Sequence, residues 1–241
     1  MTTTFITGAN KGLGYETARR LITLGHTVVV GARDAERGAA AAATLGARFV
    51  RIDVTDDASV NAAATDVAEH EGVIDVLINN AGVHGPRGDP SDLTGADALN
   101  VFDVNLFGVV RTTTAFLPLL RRSPDPVIIN VSSGMGSLVI THDPSRIESS
   151  VVAPLYTASK AALTMLTTQY AKGLKDIRVN AADPGYTATD LNGHSGPQSV
   201  TEGTDAIVRL ATEKPGAGSG RFIDRTGPID WSSSPKAPTP A

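Results

Sequence analysis

Short apolar runs alternate along this chain with segments whose apolar positions recur at helical spacing. Residues 3–7, 27–32, 47–52, 73–79, 127–132, 177–182 and 221–224 read as strands, short and rich in Val, Ile and Phe. Residues 13–24, 35–44, 58–70, 97–120, 155–175 and 201–211 carry the spacing of amphipathic helices. Seven strands alternating with six helices predict an α/β fold, a doubly wound, seven-stranded parallel sheet with helices on both faces. Pro118 is expected to kink or end the fourth helix. The alanine run 39–43 reads as a high-propensity helix face.

Composition narrows the picture without redrawing it. The chain has 241 residues, enough for one large core, and 41% of them are hydrophobic against 19% charged. Residues 1–231 read as a single domain, and 232–241 turn to Ser, Pro, Ala and Thr, the composition of a frayed terminus. A net charge of −4 with no basic block argues against nucleic acid as a partner. The absence of cysteine excludes disulfides, thiol catalysis and cysteine-ligated metal, and the histidines show no metal spacing. The first strand begins at once and no apolar run approaches membrane-spanning length, so no membrane partner and a cytoplasmic location are expected.

Chemistry enters where strands end. Directly after the first strand stands Thr7-Gly8-Ala9-Asn10-Lys11-Gly12-Leu13-Gly14, with helical spacing beyond it. Strand, glycine-rich turn and helix in that order form a site for a dinucleotide. Glycines let the backbone approach a pyrophosphate, whose charge faces the positive helix end, and a Rossmann-type fold follows. Further on, Tyr156-Thr157-Ala158-Ser159-Lys160 opens an amphipathic helix. Residues four apart share a helix face, so the phenol and the ammonium point into one cleft. A nearby ammonium favours the phenolate, which would bring Tyr156 within reach of general acid–base work.

These motifs, with Asn79-Asn80-Ala81-Gly82 between them, resemble the short-chain dehydrogenase/reductase family in the family's own order. The Asn10-Lys11 pair and the chain's end, Pro228-Ile229-Asp230-Trp231, are similar to its carbonyl-reductase branch. The resemblance implies a catalytic set of Asn105, Ser133, Tyr156 and Lys160. Ser132 competes with Ser133, since successive strand residues face opposite ways. The family pattern of a serine three residues before a glycine selects Ser133, with Gly136 completing it. Asn105 is expected to hold a water towards Lys160. The implied cofactor contacts are Gly8, Asn10, Lys11, Gly12, Leu13, Gly14, Asp53, Val54, Asn80, Ala81, Gly82, Tyr156, Lys160, Pro184, Gly185, Thr187 and Thr189.

Charge at the second strand selects the cofactor. NAD sites place a carboxylate there, whereas here Arg33 follows the strand directly and Lys11 can supply a second positive charge. A guanidinium grips a 2′-phosphate, so NADP(H) is expected, with Asp34 capping the next helix. The implied reaction is hydride transfer to a ketone, aldehyde or quinone, reversible as a secondary-alcohol dehydrogenase. The alternative is a non-catalytic NADP(H)-sensing protein. An acyl-carrier reductase would need a basic docking patch near the cleft, for which Arg121-Arg122 is a candidate pair.

Pocket candidates are His84, Met135, Leu138, Val139, Tyr186 and Leu191, a mostly apolar set suited to a small-molecule carbonyl or alcohol. The lone Trp231 reads as a packing anchor. Segment 190–200, rich in Gly, Ser and Pro, suits a mobile lid. Ser133 and Tyr156 stand 23 positions apart, wider than the compact family pattern. The extra residues, 138–154, are expected over the cleft mouth and beside the Tyr156 helix, which leaves monomer and homodimer both open.

Overall fold

The strands owe their place to alternation. Along each central strand successive side chains enter opposite layers of the core: Ile6, Val28, Val30, Ile78 and Ile129 on one face, Phe5, Val29, Leu77 and Ile128 on the other. A computed structural model describes residues 1–230 of the chain. The strands are β1 Thr3–Thr7, β2 Thr27–Ala32, β3 Arg48–Arg51, β4 Val76–Asn79, β5 Val127–Val131, β6 Arg178–Ala182 and β7 Phe222–Ile223, in the order β3-β2-β1-β4-β5-β6-β7. Every neighbouring pair is parallel. Trp231 and the predicted tail lie outside the described residues.

Helices α1 Gly12–Thr23, α2 Ala35–Leu45 and α9 Asp205–Thr212 pack on one face, and α3 Asp57–His70, α5 Gly108–Leu120 and α7 Pro154–Gly173 on the other. Phe116 of α5 meets Phe5 with ring centroids 4.5 Å apart. Both rings are fully buried, each worth about 1.5–3 kcal/mol of burial. The order of connection reverses between β1 and β4, so the loops after β1, β2, β4, β5 and β6 converge at the carboxyl edge of the sheet.

Several predicted elements are divided. The helix expected over 97–120 is α4 Gly95–Phe102, a π-helical turn Asp103–Phe107, and α5. Pro118 does not stop α5 where it stands, but the helix ends two residues on, at Leu120. The helix expected over 201–211 breaks at Thr204 into α8 Val200–Gly203 and α9. There the buried Thr204 hydroxyl donates back to the Thr201 carbonyl at 2.8 Å and accepts from Arg20. The insertion forms the short helix α6 Leu138–His142 and a 3-10 turn Ile147–Ser150. The strand expected from 73 begins at Val76, because Asp75 turns its carboxylate to the Thr3 N–H at 2.7 Å and the Ser123 hydroxyl at 2.6 Å.

Candidate active site

The loop after β1 is shaped by what cannot be added to it. Gly8 has φ +65°, and a Cβ on Gly14 would lie 2.5 Å from the Gly8 carbonyl and 2.9 Å from Ala9 Cα. From β4, Asn80 Nδ2 donates to the Thr7 and Gly8 carbonyls at 2.9 and 3.1 Å. The Thr7 hydroxyl accepts from the Asn80 and Ala81 N–H groups, both at 3.0 Å. Two loops are thereby fixed against the start of α1, whose first turn carries no carboxylate to compete for its free N–H groups. The cleft here has a volume of about 850 Å³, and its glycine cradle, helix terminus and apolar wall fit a dinucleotide. Gly8, Asn10, Lys11, Gly12, Leu13, Gly14, Arg33, Asp53, Val54, Asn80, Ala81, Gly82, Pro184 and Thr189 line it.

At the adenosine end Arg33 is largely exposed and stands 4.0 Å from Asp53. Asp34 lines the cleft too, but it caps α2 by accepting from the Arg37 N–H at 2.9 Å and pairs with the Arg37 guanidinium at 2.8 Å, so a cation meets its charge at the rim. Hydrogen bonds from Arg37 hold its carboxyl below the usual range. Arg37 also lines the cleft; its role as capping partner concealed it in the sequence. Lys11 lines the cleft and has an exposed partner there. Its ammonium pairs with Asp190 of the lid at 2.8 Å, and His194, with φ +61°, reaches the same carboxylate at 2.9 Å.

At the other end Tyr156 and Lys160 share one face of α7 and line the cleft. Lys160 Nζ donates to the Val131 carbonyl at 2.7 Å and stands 5.7 Å from the centre of the Tyr156 ring. Burial dominates the pair. It pushes the Tyr156 pKa up to about 12, against the Ser133 hydroxyl and with help from Asp183, and brings Lys160 down to about 8, opposed by Asp183. The ammonium therefore does not deliver the phenolate that spacing alone suggested, and Tyr156 is held as a phenol.

The two serines part company. The buried Ser132 hydroxyl is tied into α7, to the Lys160 carbonyl at 3.3 Å and Thr164 at 3.0 Å. Ser133 faces Tyr156, and its hydroxyl accepts from the Met135 N–H at 3.2 Å. The π turn points the buried Asn105 amide across the cleft floor. Its oxygen accepts from the Val83 N–H at 2.8 Å, and its nitrogen donates to the Val83 carbonyl and to Ser159, both at 2.9 Å. A Cβ on Gly82 would lie 3.4 Å from Asn105 Oδ1 and 3.7 Å from Lys160 Nζ, so the three elements meet there.

The chain has counterparts among known proteins. The short chain dehydrogenase family profile matches residues 2–199. The chain belongs to the short-chain dehydrogenase/reductase family. It is 38% identical over 233 residues to short-chain dehydrogenase anuI of Penicillium roqueforti, covering 91% of this chain and 92% of that one. It is 32% identical to (-)-isopiperitenone reductase of Mentha piperita, covering 91% and 95%. Among solved structures, an NADPH-bound carbonyl reductase from chicken fatty liver superposes with a TM-score of 0.86 at 27% identity, covering 95% of this chain and 98% of that one. Salutaridine reductase from Papaver somniferum gives 0.81 at 27%, covering 92% and 99%. The chain is thus an oxidoreductase by family, and no helix of its described residues is long and apolar enough to cross a membrane.

The residues expected at the substrate divide in two. His84 lines the cleft with its ring stacked on Tyr156, centroids 5.1 Å apart and planes 11° from parallel. Burial and the Arg87 guanidinium push its pKa down. Leu191 lines the same cleft, and Arg87 donates to its carbonyl at 2.9 Å, tying segment 190–200 to the loop after β4. Tyr186 bonds Ser195 within the lid at 2.7 Å. Met135 and Leu138 line a separate apolar groove of about 410 Å³ between the insertion and α7.

Gly185 and Thr187 do not face the cleft. Gly185 backs onto Gln198, and the buried Thr187 hydroxyl donates to the Pro184 carbonyl at 2.8 Å. Arg87, Glu148 and Asp183 carry no sequence motif and come to the site only through the fold. Among the described residues no cluster of three or more His, Asp or Glu could hold a metal ion.

Proposed function

We propose that this protein is an NADPH-dependent reductase that transfers hydride to a ketone, aldehyde or quinone, reversible as a secondary-alcohol dehydrogenase. The observation that carries the reading is the meeting of Tyr156, Ser133 and Lys160 at the carboxyl edge of the sheet, beside the glycine-lined cleft. Arg33 at the end of β2, with the Asp34 charge drawn into a helix cap, favours the 2′-phosphate of NADP over the free ribose of NAD. The NADPH-bound carbonyl reductase and an NADPH-dependent pterin aldehyde reductase from Arabidopsis thaliana, 34% identical over 78% of this chain and 76% of that one, support the same choice.

Bound NADPH would supply the hydride. The chain's residues handle the oxygen that receives it. Ser133 donates a hydrogen bond to the substrate carbonyl, and Tyr156 passes it a proton as negative charge develops there. A phenol whose pKa burial has raised to about 12 is protonated at neutral pH, the form that reduction requires. Lys160, between Val131 and the Tyr156 ring, is placed to hold the nicotinamide ribose. Asn105 fixes Val83 and Ser159, and through them the turn beside His84 and the start of α7. Hydride and proton together convert C=O into CH–OH, leaving NADP⁺.

NADPH oxidation against quinones, aromatic aldehydes, diketones and cyclic ketones, with NADH in parallel, tests the reading. Tyr156→Phe is expected to lose turnover by roughly a thousandfold while NADPH binding stays within about twofold. Full turnover in that variant would remove Tyr156 from the chemistry. Tight NADPH binding by the wild type with no turnover across the panel would favour the sensing alternative.

A further inference from the structure

One buried charge beside this site has no part in the chemistry above. Asp183 follows β6 directly and is 3% exposed. Its backbone N–H donates to the Ile223 carbonyl at 2.8 Å, so the sheet fixes its position. Oδ1 accepts from the Gly185 N–H at 2.9 Å. Oδ2 is buried beside the Gly134 N–H, which favours its charge without closing a hydrogen bond of regular geometry. It points at the turn after Ser133: a Cβ on Gly134 would lie 2.9 Å from Asp183 Oδ2 and 3.0 Å from Glu148 Oε1. In the ladder Ala182 pairs with Val131, whose carbonyl holds Lys160 Nζ at 2.7 Å. Asp183 thus stands one residue beyond the layer that receives the ammonium.

A buried carboxylate closing a single regular hydrogen bond is costly, and an amide or hydroxyl would serve the Gly185 N–H as well. What only Asp supplies is the charge. In a buried setting a nearby anion favours an ammonium over an amine and a phenol over a phenolate. We propose that Asp183 is a positioning residue for the reduction: its carboxylate is the buried counter-charge that keeps Lys160 an ammonium and Tyr156 a proton donor. The inference rests on the reductase reading.

The charged and titratable groups facing Asp183 are Glu148 and Arg146 of the insertion, Asp224 after β7, and Tyr156 and Lys160 of α7. Burial pushes the Asp183 pKa up to about 6 against the N–H groups of Gly185 and Gly134, and Glu148 and Asp224 add to the rise. Arg146 partly offsets Glu148 through a contact of 3.2 Å. Above that pH the carboxylate is charged and holds both partners protonated. Its loss is therefore felt on the alkaline side of the reduction profile, where Tyr156 and Lys160 would otherwise lose their protons.

The test is kcat/KM for NADPH-dependent reduction as a function of pH in Asp183→Asn and Asp183→Ser. Both variants keep an acceptor for the Gly185 N–H and remove the charge. The alkaline limb is expected to move down by roughly one pH unit in both, with kcat near pH 6 changed by less than about threefold. Ultraviolet titration of the phenolate, with Tyr156→Phe as subtraction control, should show the same downward movement in the folded protein without turnover. Profiles and titrations that superpose on the wild type would overturn the role of Asp183. Loss of turnover in Tyr156→Phe alongside such superposition would leave the reductase reading standing; full turnover in Tyr156→Phe would remove that reading itself.

Discussion

The two halves of the sheet are built by different means. In the first, β1 and β2 span the predicted residues, while α1, α2 and α3 fall within one residue of the predicted bounds. Their limits are local: Asp34 and Asp56 cap α2 and α3 with their own side chains, and apolar residues at strand and helix periods fill both core layers. In the second half the long helix is interrupted by a π turn, another breaks at Thr204, and the lid and insertion carry 3-10 turns. Here buried polar groups set the geometry: Asn105 on Val83 and Ser159, Lys160 on Val131, Asp183 on Gly185. The half that reads easily shapes the glycine-lined cleft; the half that departs from periodicity holds Ser133, Tyr156 and Lys160. Departures from local rules gather where chemistry needs a group held at an angle that regular structure does not offer.

That contrast can be broken from either side. Gly14→Ala is the severest probe of the first half, because the new Cβ would meet backbone at Gly8 and Ala9 that Asn80 holds fixed. We expect a loss of about 3 kcal/mol in stability and no measurable dinucleotide binding, read by denaturant unfolding and fluorescence titration. A variant that binds NADPH normally would show the cradle to be more yielding than its contacts imply. Asn105→Ala probes the second half. It removes the buried Asn105 amide that joins Val83 to Ser159 and should cost about 2 kcal/mol in stability, with kcat falling further than KM rises as the Tyr156 helix loses its tie to the π turn. An effect on KM alone would place Asn105 with binding.

Arg33→Ala is the mildest of the three. With its side chain largely exposed, it should weaken NADPH binding by roughly tenfold and leave NADH unchanged, since the guanidinium would face the 2′-phosphate alone. Equal effects on both cofactors would move the selectivity to Lys11 or Arg37.

Residues whose neighbours in sequence explain them were legible. Gly8 and Gly14 announced a close approach, Tyr156 and Lys160 a shared face, and Asp34 a cap, because each follows from spacing along one element. Ser132 and Ser133 could not be separated that way: alternation says only that they diverge, and the direction was set by Thr164 on α7, 32 residues from Ser132. Lys11 lines the cleft, but its exposed partner Asp190 lies 179 residues away, and no spacing along one element names that partner. The expected fall of the Tyr156 pKa failed for a related reason. Spacing places an ammonium near the phenol but does not tell how much water surrounds either.

The sequence by itself determined the layered sheet, the glycine cradle after β1 and the Tyr–Lys pair on one helix face, since periodicity, turn chemistry and i,i+4 geometry act over a few residues. Only the tertiary structure decided which serine faces Tyr156, that Asn105 spans from a π turn to Val83, and that the buried carboxylate of Asp183 lies beside the site. Those outcomes depend on burial and on hydrogen bonds between distant segments. Local patterns do not encode either, because solvent exclusion and partner choice exist only once the layers have packed.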